Sequence, residues 1–292
     1  MRGPHKLPTD RPDTTEGGGA ASEVPHDERT FFESFYKASV RGDPQDRMTI
    51  GPISDPESRF HYNSVENGII RALLARTPAP APAMVEAWRV MQKRSGMRLL
   101  DIGSGTGHWV DFFLDVFHVS EAVAVELTQS MAGFLRGKYA SRSDVTVQCA
   151  DVASPQFDAG KDGFDYVTAI GVMFHIVDDS RWVAALGNLA RALKPGGLLI
   201  VGGDFGWHTR NVQFHKSDEF SNWREFNAAT GVPGELRVSR RVRSLAVWSE
   251  QASRLGLRVA DVVRTDTHPG IATPENDLLI LQKPEGEEKG AA

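Results

Sequence analysis

The chain has 292 residues, 40% apolar and 24% charged, a balance that fits a soluble globular protein with one large domain. Its net charge of −5 and pI near 6.0 argue against broad electrostatic binding to nucleic acid, and no apolar run approaches the ~18 residues that span a bilayer. The single cysteine, Cys149, excludes an internal disulfide and a cysteine-based metal cluster.

Residues 1–28 carry almost no apolar side chains and are expected to be a disordered tail. The tail also lacks the apolar core of a signal peptide, so a cytoplasmic location is expected. Residues 29–95 read as a helical cap. "ERTFFESFYKASV" places Phe31, Phe32, Phe35 and Tyr36 at helical spacing. "RGDPQD" and "GPISDPES" read as loops, and a second helix is expected from near Ser64 to Leu74, with Ser64 as its N-cap. "TPAPAPA" breaks it, and "MVEAWRVMQKR" predicts a third helix.

From Met97 the pattern changes to alternating strands and helices over residues 96–283, followed by a short disordered tail at 284–292. Apolar strands alternating with helices imply a mainly parallel sheet covered on both faces. The last two strands, within "LRVADVVRT" and "NDLLILQK", lack room for a crossover helix between them and should pair antiparallel. Residues 207–243 show no clean periodicity and read as an insertion over the carboxyl edge of the sheet, where open α/β folds bind ligands.

"LLDIGSGTG" ends the first of these strands in Asp101 and continues into Gly103, Ser104, Gly105 and Gly107. The glycine spacing departs from the G-x-G-x-x-G dinucleotide fingerprint. A carboxylate at Asp101 suits a cationic ammonium group and would repel a pyrophosphate. Glu126 ends the second strand roughly twenty residues later, where an acid can accept both ribose hydroxyls. Asp151 ends the third strand, within reach of an adenine edge. A solvated strand end is the ordinary explanation for any one of these acids; their joint spacing favours ligand binding.

The set resembles the class I S-adenosylmethionine-dependent methyltransferases, in particular their small-molecule branch. "LLDIGSGTG" is similar to the family's first motif, "AVELTQSM" to its ribose motif and "CADV" to its adenine motif. "FDYVTAIGVMFHI" resembles its fourth strand, and "LARALKPGGLLIV" the turn into its fifth. The resemblance implies a Rossmann-like seven-stranded sheet with an antiparallel last strand, and S-adenosyl-L-methionine as cofactor. It places Asp101 near the cofactor's amino group, Glu126 on the ribose, and Asp151 with the Val152 backbone on the adenine. Leu127 and Met131 would wall the adenine pocket, and Ile170 would face the cofactor from the fourth strand.

The implied activity is methyl transfer to a small molecule, at oxygen or nitrogen, with His175 of "FHIVDD" as candidate general base. An imidazole titrates near neutrality, which suits that task, although the same residue could simply pack against the cofactor. In "RFHYNSVEN", Tyr62 is a candidate to face the sulfonium and His61 to contact substrate; packing of the cap helix is the alternative. His208, His215 and Trp223 in the insertion are further substrate candidates. The spacing of Asp204, His208 and His215 matches no compact metal motif, so no metal is expected. "RVSRRVR", Arg237 to Arg243, reads more readily as a solvated basic face than as an anion anchor. Neither a nucleic-acid nor a membrane partner is expected, and a homodimer is compatible with the reading. A nucleotide-dependent oxidoreductase and a non-catalytic S-adenosylmethionine-binding protein are the competing readings.

Overall fold

The computed structural model describes residues 28–39, 55–74, 96–160, 163–202, 205–206, 212–215, 239–263, 265 and 277–285. In chain order they form helices α1 (Glu28–Ser39) and α2 (Asp55–Leu74), then strand β1 (Arg98–Ile102), α3 (His108–Val116), β2 (Glu121–Glu126), α4 (Gln129–Lys138) and β3 (Val145–Cys149). There follow β4 (Phe164–Ile170), a single 3-10 turn (Met173–His175), α5 (Asp179–Ala192) and β5 (Leu193–Gly202). The short strands β6 (Phe205–Gly206), β7 (Val212–His215) and β8 (Ser239–Ser244) precede α6 (Leu245–Arg254), β9 (Arg258–Val263) and β10 (Leu278–Gln282).

Seven strands make one sheet in the order β3-β2-β1-β4-β5-β10-β9. The first five are parallel, and β10 runs antiparallel to both β5 and β9, as the short final connection predicts. This is a Rossmann-like sheet whose order reverses between β1 and β4, the point at which a crevice opens at the strands' carboxyl ends.

Alternation along each strand divides the core into two layers. Leu100, Val123, Val167 and Leu199 face one side with Trp182, Leu186 and Leu189 of α5 and Trp248 of α6. Leu99, Ala124, Tyr166 and Ile200 face the other side with Ile69 and Leu73 of α2 and Phe113 of α3. Each such fully buried side chain contributes about 1.5–3 kcal/mol, so both helical layers are held by the same strands.

Three local expectations are corrected. α2 begins at Asp55, nine positions before Ser64, so "RFHYNSVEN" lies inside a helix. Pro56 does not prevent this, because the first helical turn has no use for its missing N–H. Ser64 is therefore no cap: it is buried, and its hydroxyl donates to the Thr265 carbonyl. The insertion also contains β7 and most of β8, which pair with each other and, through β8, with β6 just before it, partners too far apart in the sequence to show as local periodicity. The expected helix at 84–94 lies outside the described residues, as do the tails apart from Glu28, which opens α1, and Pro284 and Glu285.

Candidate active site

The carboxyl ends of β1, β2, β3 and β4 border a cleft of about 650 Å3 counted to its open mouth. Ile102 and Gly103 line it from β1, Val125, Glu126 and Leu127 from β2, and Ala150, Asp151 and Val152 from β3. Gly171, Val172, His175 and Ile176 close the β4 side.

The glycine turn is built for close approach. Gly103 has φ of +66°, and a Cβ there would collide with the Val172 side chain. Its N–H and that of Ser104 donate to the Val125 carbonyl at 2.8 and 3.1 Å, which ties the turn to β2. The buried Ser104 hydroxyl donates to the Asp101 carbonyl at 2.9 Å. Gly107, at φ of +86°, leads into α3 and accepts the Tyr139 hydroxyl on its carbonyl at 3.0 Å.

Asp101 is fully buried. One carboxylate oxygen accepts the Thr168 hydroxyl at 2.6 Å; the other is buried with no partner among the described residues. Burial pushes its carboxyl up to about 6, against the lowering influence of the Thr168 and Ser104 hydroxyls and of nearby His108. Glu126 is also buried, and burial pushes it up to about 7 while the N–H groups of Gly105 and Leu127 act in the opposite direction. Asp101 thus keeps an oxygen without a partner among the described residues, while Glu126 already accepts from backbone N–H groups. A cationic ammonium group fits the orphaned oxygen of Asp101, and paired hydroxyls fit Glu126.

Asp151 is already engaged. One oxygen accepts the Ala153 N–H at 2.9 Å and the other the Arg181 guanidinium at 2.9 Å. Asn188 anchors the same loop by donating to the carbonyls of Val152 and Ser154.

His175 lines the cleft from the 3-10 turn, with its ring against Phe32 at a centroid distance of 5.0 Å and Phe174 at 4.3 Å. Tyr62 stands elsewhere: it packs on His108 at 4.4 Å and Trp109 at 5.8 Å, outside the cleft lining, which is the packing alternative. Met131 is buried and Ile170 half-buried, and neither reaches the lining. His61 falls on α2 and His215 on β7, with side chains outside the described residues; Asp204, His208 and Trp223 lie wholly outside them.

The basic stretch is not the solvated face expected of it. Arg243 is 2% exposed, donates to Asp179 at 2.8 Å and lies over Trp182 at 4.5 Å. Arg241 also pairs with Asp179, at 3.0 Å, and Arg240 covers the Phe174 ring at 4.7 Å. These guanidiniums attach β8 to α5 and to the turn that carries His175.

One wall of the cleft escaped sequence reasoning. Glu28, Phe32 and Tyr36 of α1 line it, while Phe31 and Phe35 bury the other side of that helix. The available signal was an aromatic surface wider than one buried stripe needs. Among the described residues, no three His, Cys, Asp or Glu side chains group as metal ligands, and no helix is long and apolar enough to cross a membrane.

Residues 99–197 match the family model described as "Methyltransferase domain". A curated relative, "Demethylmenaquinone methyltransferase" of Staphylococcus aureus (strain MRSA252), is 32% identical over 111 residues, 38% of this chain and 44% of that protein. "Probable tRNA methyltransferase 9B" of Bos taurus is 27% identical over 138 residues, 47% of this chain and 27% of that protein. The chain thus spans less than half the length of either relative. The solved structure of the CcbJ methyltransferase from Streptomyces caelestis superposes with a TM-score of 0.54 at 16% identity, covering 89% of this chain and all of that one. At that identity the likeness is one of fold.

Proposed function

We propose, from the premise that residues 99–197 are a methyltransferase domain of the class I type, that this chain transfers a methyl group from S-adenosylmethionine to a small-molecule acceptor at oxygen or nitrogen. The observation that carries the reading is the arrangement of Asp101, Glu126 and Asp151. They stand at the carboxyl ends of three adjacent parallel strands, and the first keeps a buried carboxylate oxygen with no partner among the described residues. That oxygen suits the cofactor's ammonium group, Glu126 its ribose hydroxyls, and Asp151 with the Val152 backbone its adenine.

Bound there, the cofactor supplies an electrophilic methyl carbon on a cationic sulfur, from which an acceptor lone pair displaces a neutral thioether. The protein's part is alignment, exclusion of water and removal of the acceptor's proton. Gly103 and Val172 bring backbone and an apolar wall close to the reacting centre. Phe32 and Tyr36 cover the cleft from α1. His175 is the group on the β4 side able to take a proton from an acceptor O–H or N–H.

A small acceptor agrees with the net charge of −5 and with the largely apolar and aromatic wall on the His175 side. The relative named as a tRNA methyltransferase makes tRNA the acceptor to test against it. Calorimetry of the full chain with S-adenosylmethionine and S-adenosylhomocysteine tests the cofactor assignment, and absence of binding to both would overturn it. Radiolabelled methyl transfer to a small-molecule panel, with tRNA as the opposing arm, tests the acceptor class.

A further inference from the structure

We propose that Arg181 is a positioning residue that fastens α1 over the cofactor cleft and holds the adenine-side carboxylate in place. The inference rests on the methyltransferase reading for the role of Asp151. Arg181 does not line the cleft, but it joins two residues that do. One guanidinium nitrogen lies 3.1 Å from the Glu28 carboxylate on α1, and the other lies 2.9 Å from Asp151 after β3.

The base of this bridge is firm. Arg181 lies in the first turn of α5, where its own N–H donates to the capping carboxylate of Asp178 at 2.8 Å. The adjacent Asp179 is gripped by Arg241 and Arg243 from β8. At its other end the bridge meets a nearly buried charge, because the Glu28 side chain is only 7% exposed, against 28% for Asp151. Farther along α1, Glu33 accepts the Ser130 N–H at the start of α4, at 3.4 Å. The helix is therefore tethered on both banks of the cleft, with Phe32 between the tethers and Tyr36 just beyond Glu33.

Removing the guanidinium would take away the cation that both carboxylates share. Lifting the first turn of α1 would then return the nearly buried Glu28 charge to solvent. Asp151 would keep the Ala153 N–H on one oxygen but lose the donor on the other, and with it part of what orients it toward an adenine amino group. Lysine keeps the charge but is a point donor that cannot present two separate N–H edges, so it replaces arginine only in part.

The test measures hydrogen exchange over residues 28–39 and S-adenosylhomocysteine affinity in the full-length chain. Arg181→Ala is expected to speed exchange in α1 and weaken binding about tenfold, since the guanidinium is partly exposed and its bonds are partly screened. Exchange in β1 and β4 should be unchanged, and Arg181→Lys should recover part of both effects. Adding Glu28→Gln to Arg181→Ala should restore protection of α1, because it removes the nearly buried charge that the guanidinium had paired. Unchanged α1 exchange, equal loss of protection in β1 and β4, or no recovery in the double variant would each overturn the proposal. Failure of the wild-type chain to bind S-adenosylhomocysteine would refute the methyltransferase reading instead, and the α1 exchange series would still decide whether Arg181 is the clamp.

Discussion

Thr168 on β4 donates its hydroxyl to Asp101 on β1 at 2.6 Å, and so aims a carboxylate whose second oxygen is buried without a partner among the described residues. The hydrogen bond fixes the acid's orientation without neutralising it. This is a stability defect in the free protein and an attachment point for a cation.

Asp101→Asn should therefore separate stability from binding. The Asp101 carboxyl rises from an ordinary value of 3.8 to about 6 on folding, so its favourable contribution is present below pH 3.8 and lost as pH rises through 6. At pH 8 the ligand-free Asn variant should be more stable than wild type, by on the order of 2 kcal/mol. Its affinity for S-adenosylhomocysteine should fall about tenfold or more, through loss of a charged hydrogen bond. Thermal denaturation and calorimetry at pH 8 measure the two effects, and a stability loss without an affinity loss would assign Asp101 to structure alone.

Glu126 predicts a pH dependence of binding. Its carboxyl rises from 4.5 to about 7, so the folded protein without ligand prefers it protonated below that value. Ribose hydroxyls require the ionised form as acceptor. Affinity should increase as pH rises through 7, with protons released on binding near neutrality, measured by calorimetry in buffers of different ionisation heat. Glu126→Gln should flatten that rise, and Glu126→Ala should weaken binding by roughly 1–3 kcal/mol at pH 8.

His175→Ala should lower turnover about 10²-fold or more with cofactor affinity unchanged, the signature of a lost general base. Turnover equal to wild type would reduce His175 to its ring contacts with Phe32 and Phe174.

Gly103→Ala should impair both folding and binding. At φ of +66° an L side chain costs roughly 1–2 kcal/mol, and the added methyl meets the Val172 side chain. Adding Val172→Ala removes the collision but not the backbone strain. The double variant should recover part of the S-adenosylhomocysteine affinity, measured beside the melting temperature.

What the sequence determined by itself follows from short-range periodicity. Apolar strands alternating with helices predict the parallel sheet, and the missing crossover predicts antiparallel β10. Asp101, the glycine turn, Glu126 and Asp151 are legible because each stands at a fixed distance from a strand end. The tertiary structure alone decided which residues meet across the cleft. Arg181 and Glu28 stand 153 positions apart, and Ser64 and Thr265 stand 201 apart, so no local pattern announces either pairing. The same holds for Arg243, which reads as a solvated cation until Asp179 and Trp182 are brought to it. Periodicity reports which face of an element is apolar. Whether a charge is solvated or buried depends on the partner that folding supplies.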